Sequence, residues 1–258
     1  MNEKIDVDLV KNMLLTKTIG DQLIYFDAVE STMDTIRKLV HSKVKEGTVV
    51  VAGLQKKGRG RFGRSWFSEP NKDILISILL KPDYKILRAL NMAISLSITD
   101  TIKEIADIKP TIKWPNDIRV NGRKIAGILI EVDTVSTGTD CFVGVGLNVN
   151  SNPNNFNKEF DATSLYCETL TTIDLNTVLS LLLQNLDVRY SSIKTSDISL
   201  EWKNNLDTLY KNIEITSKIS NQKFNGKAID VASNGDLIVK LLDGSIRVFS
   251  SGEVTLQQ

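Results

Sequence analysis

Between Gln55 and Trp66 the chain reads Gln-Lys-Lys-Gly-Arg-Gly-Arg-Phe-Gly-Arg-Ser-Trp, with five cations (Lys56, Lys57, Arg59, Arg61, Arg64) and no anion. Gly58, Gly60 and Gly63 let its backbone approach a ligand closely. The stretch leaves Thr48-Val-Val-Val-Ala52, a β-branched run that reads as a buried strand. A glycine-loosened, arginine-loaded loop at a strand end is a cradle for a polyanion. The competing reading is a solvated basic surface loop.

Two phosphate motifs fit the letters and fail on context. Gly58-x-Gly60-x-x-Gly63 spells the dinucleotide fingerprint, and Gly58 to Ser65 nearly spells a P-loop. Both need a helix to receive the phosphates on its N-terminus. Here Ser65 to Asn71 is turn-rich and leads into the strand-like Ile74 to Leu80, and arginine replaces the P-loop lysine.

Other chemistry is restricted by scarcity. His41 is the single histidine, read as a solvent-facing helix residue, so a Ser-His-Asp hydrolase or a His/Cys zinc site has little to draw on. The sequence therefore favours a reaction that needs no histidine base. Thirty-two basic residues against 31 acidic give +1, so the cationic loop is a local feature and not part of a global field. No run approaches a membrane span, and the N-terminus does not read as a signal peptide. Cys141 and Cys167 are too few for a disulfide framework and suit a reducing cytoplasm.

The elements that must position this chemistry follow in order. Residues 1–24 form a short lead-in with one or two amphipathic turns, Val7 to Leu15, too short for a winged-helix DNA-binding domain. A strand at Tyr25-Phe26 precedes Ser31-x-x-Asp34, a capping-box pattern opening a helix up to Gly47. Ser31 and Thr32 are either its N-cap or paired hydroxyls offered to a small polar ligand. A long helix over Ile86 to Ile108 stops before Pro110. Asn121-Gly122 between apolar runs predicts a hairpin, and period-two alternation puts Lys124 on the face of Ala126, Ile128 and Ile130. A lysine on a buried face needs an anionic partner, which a substrate could supply. The strand Asp140 to Asn150 carries Cys141, Val143, Val145, Leu147 and Val149 on one face, and Phe142, Gly144, Gly146, Asn148 and Asn150 on the other. Interior strand glycines mark close approach. Helices are expected over Asp174 to Ile193 and Asp197 to Lys211. From Ile213 the short strands and turns of a small barrel follow.

The set Glu30-Ser31-Thr32, Gln55 with Gly58-Arg59-Gly60-Arg61-Phe62-Gly63-Arg64 and Trp66, Lys113-Trp114-Pro115-Asn116-Asp117, Gly122 to Glu131, and Gly144-Val145-Gly146-Leu147-Asn148 resembles the biotin protein ligases. The resemblance implies an α+β fold: a mixed-sheet catalytic domain with packed helices, of the class II synthetase-like biotin–lipoate ligase type, over residues 1–211. It also implies an SH3-like β-barrel over 212–258. The implied reaction joins biotin and ATP into biotinyl-AMP with release of pyrophosphate, then passes biotin to a lysine of a biotin carboxyl carrier protein or the biotinyl domain of a carboxylase. Mg²⁺, a homodimer and a cytoplasmic location are part of the same expectation. DNA and membrane are not expected partners.

By motif position, Ser31, Thr32, Met33 and Gln55 would line the biotin pocket. Gly58, Arg59, Gly60 and Arg61 would close over the biotinyl-AMP phosphate. Lys124 would meet the biotin carboxylate and the α-phosphate, with Lys124, Arg59 and Asp117 as the catalytic set. Trp66 would cover the ligand, with Asn116, Asp117 and Asn148 near the nucleotide beside Arg59, Arg61 and Lys124. Met33 stands where the family often has Asn. Arg64 is read as a loop anchor. The metal ligands are unassigned, and Asp117 could orient the incoming amine, bind Mg²⁺ or fix the hairpin. A lipoate–protein ligase shares this fold and adenylation logic, and an RNA-binding module would combine the basic loop with the small barrel.

Overall fold

The computed structural model describes residues 4–40, 42, 44–135, 138–152, 161–193, 195–216 and 222–256. In chain order it starts with α1 (Val7–Met13), β1 (Leu23–Phe26), α2 (Thr32–Val40) and β2 (Val49–Ala52). The basic stretch makes a small hairpin, β3 (Gly58–Arg59) and β4 (Ser65–Trp66), around a 3₁₀ turn at Arg61–Gly63. No helix follows it, as its turn-rich sequel predicts: the chain runs on into β5 (Ile74–Leu80) and then α3 (Leu87–Ala106). Next come β6 (Thr111–Lys113), β7 (Asp117–Val120), β8 (Arg123–Val135) and β9 (Gly138–Leu147). Three helices, α4 (Leu165–Thr169), α5 (Leu175–Ser192) and α6 (Ser199–Asn204), precede the C-terminal strands.

Seven strands form one mixed sheet in the order β1-β2-β5-β9-β8-β7-β6, parallel only between β1 and β2. One face of β9, through Val143, Val145 and Leu147, joins the main apolar core with α3 and α5. The opposite face meets α2, where Met33 and Ile36 pack on Val50, Leu79 and Phe142. The glycines of β9 lie on this second face, and so does the site.

The expected β7–β8 hairpin is present, with Asn121 (φ 49°) and Gly122 (φ 80°) both left-handed at the turn. Its register corrects one reading. Arg119 pairs with Lys124 but Ile118 pairs with Ala126, so an extra residue bulges at Ile125. The bulge breaks the alternation: Lys124 leaves the face of Ala126 and Ile128 for that of Gly127, whose Cβ position would lie 3.2 Å from Lys124 Nζ. The lysine is therefore half-exposed in a groove and not embedded in the core.

Two helices are shorter than expected. α2 closes at Val40, and His41 lies outside the described residues. α6 covers only Ser199–Asn204, because the chain beyond it turns to pair with β6: Ile112 N–H donates to Asn205 O and Asp207 N–H to Ile112 O. The capping box is also unrealised. Ser31 Oγ makes no hydrogen bond, and the Asp34 carboxylate accepts from Arg59.

The C-terminal strands β10 (Asn212–Thr216), β11 (Lys223–Val231), β12 (Leu237–Leu241), β13 (Ile246–Phe249) and β14 (Glu253–Leu256) make an antiparallel sheet ordered β13-β12-β11-β10-β14. It is SH3-like in strand content, and its edge strands β13 and β14 do not hydrogen-bond to each other. The sheet docks on the rest of the chain through Trp114, whose indole N–H donates to Gly235 O at 2.9 Å.

Candidate active site

Two adjoining cavities open on the glycine face of the sheet. The smaller, about 50 Å³, is lined by Thr32, Met33 and Gln55 and floored by Gly127, Gly144 and Gly146. The larger, about 200 Å³, is lined by Lys113, Asp117, Asn148 and, from β14 and the residue before it, Gly252, Glu253 and Val254. Gly60, Arg61, Trp66, Asn116 and Lys124 line both, so they form the wall the cavities share.

The polar end of the small cavity is pre-set by a hydroxyl chain. Ser77 Oγ donates to Thr32 Oγ1 (2.8 Å), which donates to Gln55 Oε1 (3.0 Å). The Thr32 N–H fills the same Gln55 oxygen at 2.8 Å. With its oxygen used twice, Gln55 has its amide N–H₂ left to donate. Beside it Ser31 is buried with an unpartnered hydroxyl. An unsatisfied buried donor and acceptor costs about 1–3 kcal/mol unless a ligand supplies the partner. Ser77, a buried strand residue, carries no sequence signal for this role.

The strand glycines are explained by side chains pressing on them. A Cβ on Gly144 would stand 3.0 Å from Met33 Sδ, and one on Gly146 only 2.4 Å from Trp66 Cε2. Trp66 thus lies in a groove that only glycines leave open, with its indole nitrogen buried and unpartnered. Gly58, opposite Trp66 in the β3–β4 hairpin, lies beneath it without lining either cavity.

At the shared wall, Lys124 Nζ is 2.6 Å from Asp117 Oδ1 and 5.5 Å from the centre of the Trp66 ring. Arg61 Nη1 donates to Asn116 Oδ1 (2.9 Å), while Asn116 Nδ2 donates to Ile128 O (2.7 Å). Burial pulls the Arg61 guanidinium below its usual pKa, against the opposing pull of Asp117. Lys113, on the wall of the large cavity, is shifted the same way and chiefly by burial. A cation desolvated this far favours an anion beside it. Asn148 Nδ2 donates to Thr163 O at 2.9 Å, so its amide is fixed from behind.

Three further cations of the basic stretch, Lys57, Arg59 and Arg64, are paired with carboxylates. Lys57 meets Glu30 at 3.0 Å, Arg59 meets Asp34 at 2.7 Å and Glu131 at 3.6 Å. Arg64 pairs with Glu253, tying the loop to the C-terminal sheet. That contact and the Gly252–Val254 wall give the C-terminal strands a place beside the cavity that their sequence does not announce.

All the expected site residues therefore gather at or beside these two cavities. The small one offers directional polar groups at one end and apolar walls. The large one offers cations, amides and an indole. Among the described residues no histidine lines the cavities, and the geometry suits joining two anions at Lys124 and Arg61.

Residues 25–148 match the Biotin/lipoate A/B protein ligase family, and residues 210–256 match the Biotin protein ligase C terminal domain. The Bifunctional ligase/repressor BirA of Bacillus subtilis (strain 168) is 32% identical over 256 residues, spanning 96% of this chain and 78% of that protein. The Biotin–[acetyl-CoA-carboxylase] ligase of Mycobacterium tuberculosis is 29% identical over 271 residues, spanning 96% of this chain and 98% of its own. Among solved structures, the biotin protein ligase from Aquifex aeolicus in complex with biotin and ATP superposes with a TM-score of 0.79 at 29% identity, covering 92% of this chain and 99% of that one.

Proposed function

We propose that this chain, which belongs to the biotin/lipoate A/B protein ligase family, is a biotin protein ligase: it activates biotin with ATP and transfers the biotinyl group to a lysine of a biotinyl carrier domain. The observation that carries this reading is the wall shared by the two cavities, where Lys124 and Arg61 face both. A substrate carboxylate in the small cavity and a nucleotide phosphate in the large one would meet there.

In this reading the ureido end of biotin is held by Gln55 Nε2, Thr32 and the free hydroxyl of Ser31, and its ring is packed by Met33 and Trp66. The donor-rich, pre-ordered end suits a ureido group better than an apolar dithiolane. The biotin carboxylate, ionised at neutral pH, attacks the α-phosphorus. A carboxylate O–P bond forms, the bond to the β-phosphate oxygen breaks, and pyrophosphate leaves. No proton moves, so positioning and charge stabilisation suffice. Lys124, Arg61 and Arg59, with the Gly60 backbone, hold the anions, and Asp117 aims Lys124. Asn116 and Asn148 border the nucleotide. In the second step a neutral lysine amine attacks the acyl carbon, a C–N bond forms, and AMP leaves as the amine proton passes to solvent.

Mg²⁺ would enter with the triphosphate, whose charge it offsets, keeping water ligands and few protein ones. Asp117 and Glu253 are the carboxylates lining the large cavity. Residues 1–211 serve as the catalytic unit and 212–258 as the SH3-like unit that completes the nucleotide wall. Pairing with a second copy and indifference to operator DNA belong to the same reading, and sedimentation and a DNA titration at controlled salt check them. Incorporation of labelled biotin into a recombinant biotinyl carrier domain, dependent on ATP, tests the function. Label entering only with lipoate, or none with either acid, would overturn it.

A further inference from the structure

Behind the site lies a carboxylate that touches neither cavity. Glu168, on α4, is almost fully buried at 6% side-chain exposure. Its Oε1 accepts from Thr163 Oγ1 (2.5 Å) and Arg123 Nη2 (2.7 Å), and its Oε2 accepts from Asn121 Nδ2 (2.7 Å). Asn121 is the β7–β8 turn, and Arg123 is the residue before Lys124.

Thr163 leads to the same place by another route. Its N–H donates to Lys124 O (2.8 Å), and Lys124 N–H donates to Asp161 O (2.9 Å), so both backbone groups of Lys124 are held by one short segment. The carbonyl of Thr163 also receives the side-chain amide of Asn148. Lys124 needs such a brace because the Ile125 bulge beside it interrupts the β7–β8 ladder.

We infer that Glu168 is a positioning residue for the adenylation step: through Arg123, Asn121 and Thr163 it fixes the bulged strand so that Lys124 and Asn148 keep their places on the cavity walls. One buried carboxylate thus sets Lys124, on the wall the two cavities share, and Asn148, on the nucleotide side, and none of the Ser31–Thr32–Gln55 polar end. The effect of removing it is asymmetric, which mere loss of stability would not be. The inference rests on the ligase reading for its kinetic consequence, but the placement of Lys124 can be read with no substrate present.

The experiment uses the full chain with Glu168→Gln, which keeps the shape and one acceptor, and the gentler Thr163→Val. Biotin-dependent ATP–pyrophosphate exchange is expected to fall about tenfold in kcat/KM for ATP in Glu168→Gln, while the affinity for biotin alone, which keeps its Ser31–Thr32–Gln55 contacts, falls by a clearly smaller factor. In parallel, the indole N–H resonance of Trp66, on which the Lys124 ammonium rests, is recorded without ligands. It should move in Glu168→Gln toward its position in Lys124→Ala. Wild-type ATP kinetics with an unmoved resonance would overturn the inference, as would equal losses for biotin and ATP. Absence of exchange in wild type would sink the ligase reading, and the indole resonance would still decide the positioning role.

Discussion

Lys124 Nζ and Asp117 Oδ1 stand 2.6 Å apart on neighbouring strands, at the wall where two cavities meet. The contact gives a half-exposed lysine a fixed direction before any substrate arrives. An anion entering between the cavities finds the ammonium already aimed, so little reorganisation is needed during the reaction. Lys124→Ala is expected to lower the adenylation rate by about 10²–10³-fold, the range seen when one charge-stabilising donor is removed. Asp117→Asn, which keeps the shape but frees the lysine, should cost about tenfold. Single-turnover formation of biotinyl-AMP measures both, and equal losses would show that Asp117 does more than aim Lys124.

Arg59 is engaged by Asp34 at 2.7 Å and by Glu131 at 3.6 Å, so an arriving phosphate competes with these carboxylates for it. The pair is partly exposed and screened, which limits its worth to about 1 kcal/mol at most. Asp34→Asn should therefore lower the KM for ATP by up to about fivefold at low salt and much less at high salt. Initial rates at two ionic strengths check this. A raised KM at both would mean that Asp34 helps to bind the nucleotide.

Gly146→Ala and Gly60→Ala should differ sharply. A methyl on Gly146 would sit 2.4 Å from the Trp66 ring, whereas one on Gly60 has no neighbour nearer than 3.6 Å and takes an ordinary φ of −110°. Overpacking of this kind costs about 1–3 kcal/mol. Gly146→Ala is expected to lower the melting temperature and weaken biotin binding at least tenfold by lifting Trp66, while Gly60→Ala leaves the melting temperature unchanged. Calorimetric titration and thermal melts separate the two.

Much of this arrangement is legible in the chain. The strand ending at Ala52, the Asn121-Gly122 hairpin, the two-faced β9 and the absence of a helix after Trp66 follow from local rules that the tertiary structure keeps. Lys124 shows where such rules stop. Its face is set by a bulge at Ile125, and a one-residue shift inverts the alternation without leaving a mark in residue types. Ser77, Glu168 and Glu253 were illegible for a different reason. Each acts through a partner at least five and up to 189 residues away, as the Arg64–Glu253 pair does, and only folding creates those pairs. The cations of this stretch read as mutually repulsive because the carboxylates that pair with Arg59 and Arg64, namely Asp34, Glu131 and Glu253, meet them only in space.

Asp73 makes stability depend on pH. Burial lifts its carboxyl from the ordinary 3.8 to about 6, outweighing the hydrogen bond from the Val149 amide, and its Oδ2 has no partner. Between these values the folded chain keeps the proton and the unfolded chain has released it. This group's contribution is thus most favourable at low pH and is lost as pH rises through about 6, a change on the order of 3 kcal/mol. Asp73→Asn removes the titration and keeps the acceptor for Val149. The melting temperature of the variant relative to wild type should rise by roughly 6–12 °C between pH 4 and pH 8. A constant difference across that range would show that Asp73 is charged in the native state throughout.

The most direct measurement is ATP–pyrophosphate exchange with biotin, with lipoate and with neither acid, for wild type, Lys124→Ala and Arg61→Ala, each verified as folded and supplied with Mg²⁺. Exchange that needs biotin and is strongly reduced in both variants is the predicted result. It would place the joining of carboxylate and phosphate at the wall between the two cavities. Exchange driven by lipoate, or biotin-dependent exchange left at the wild-type rate in both variants, would contradict that assignment.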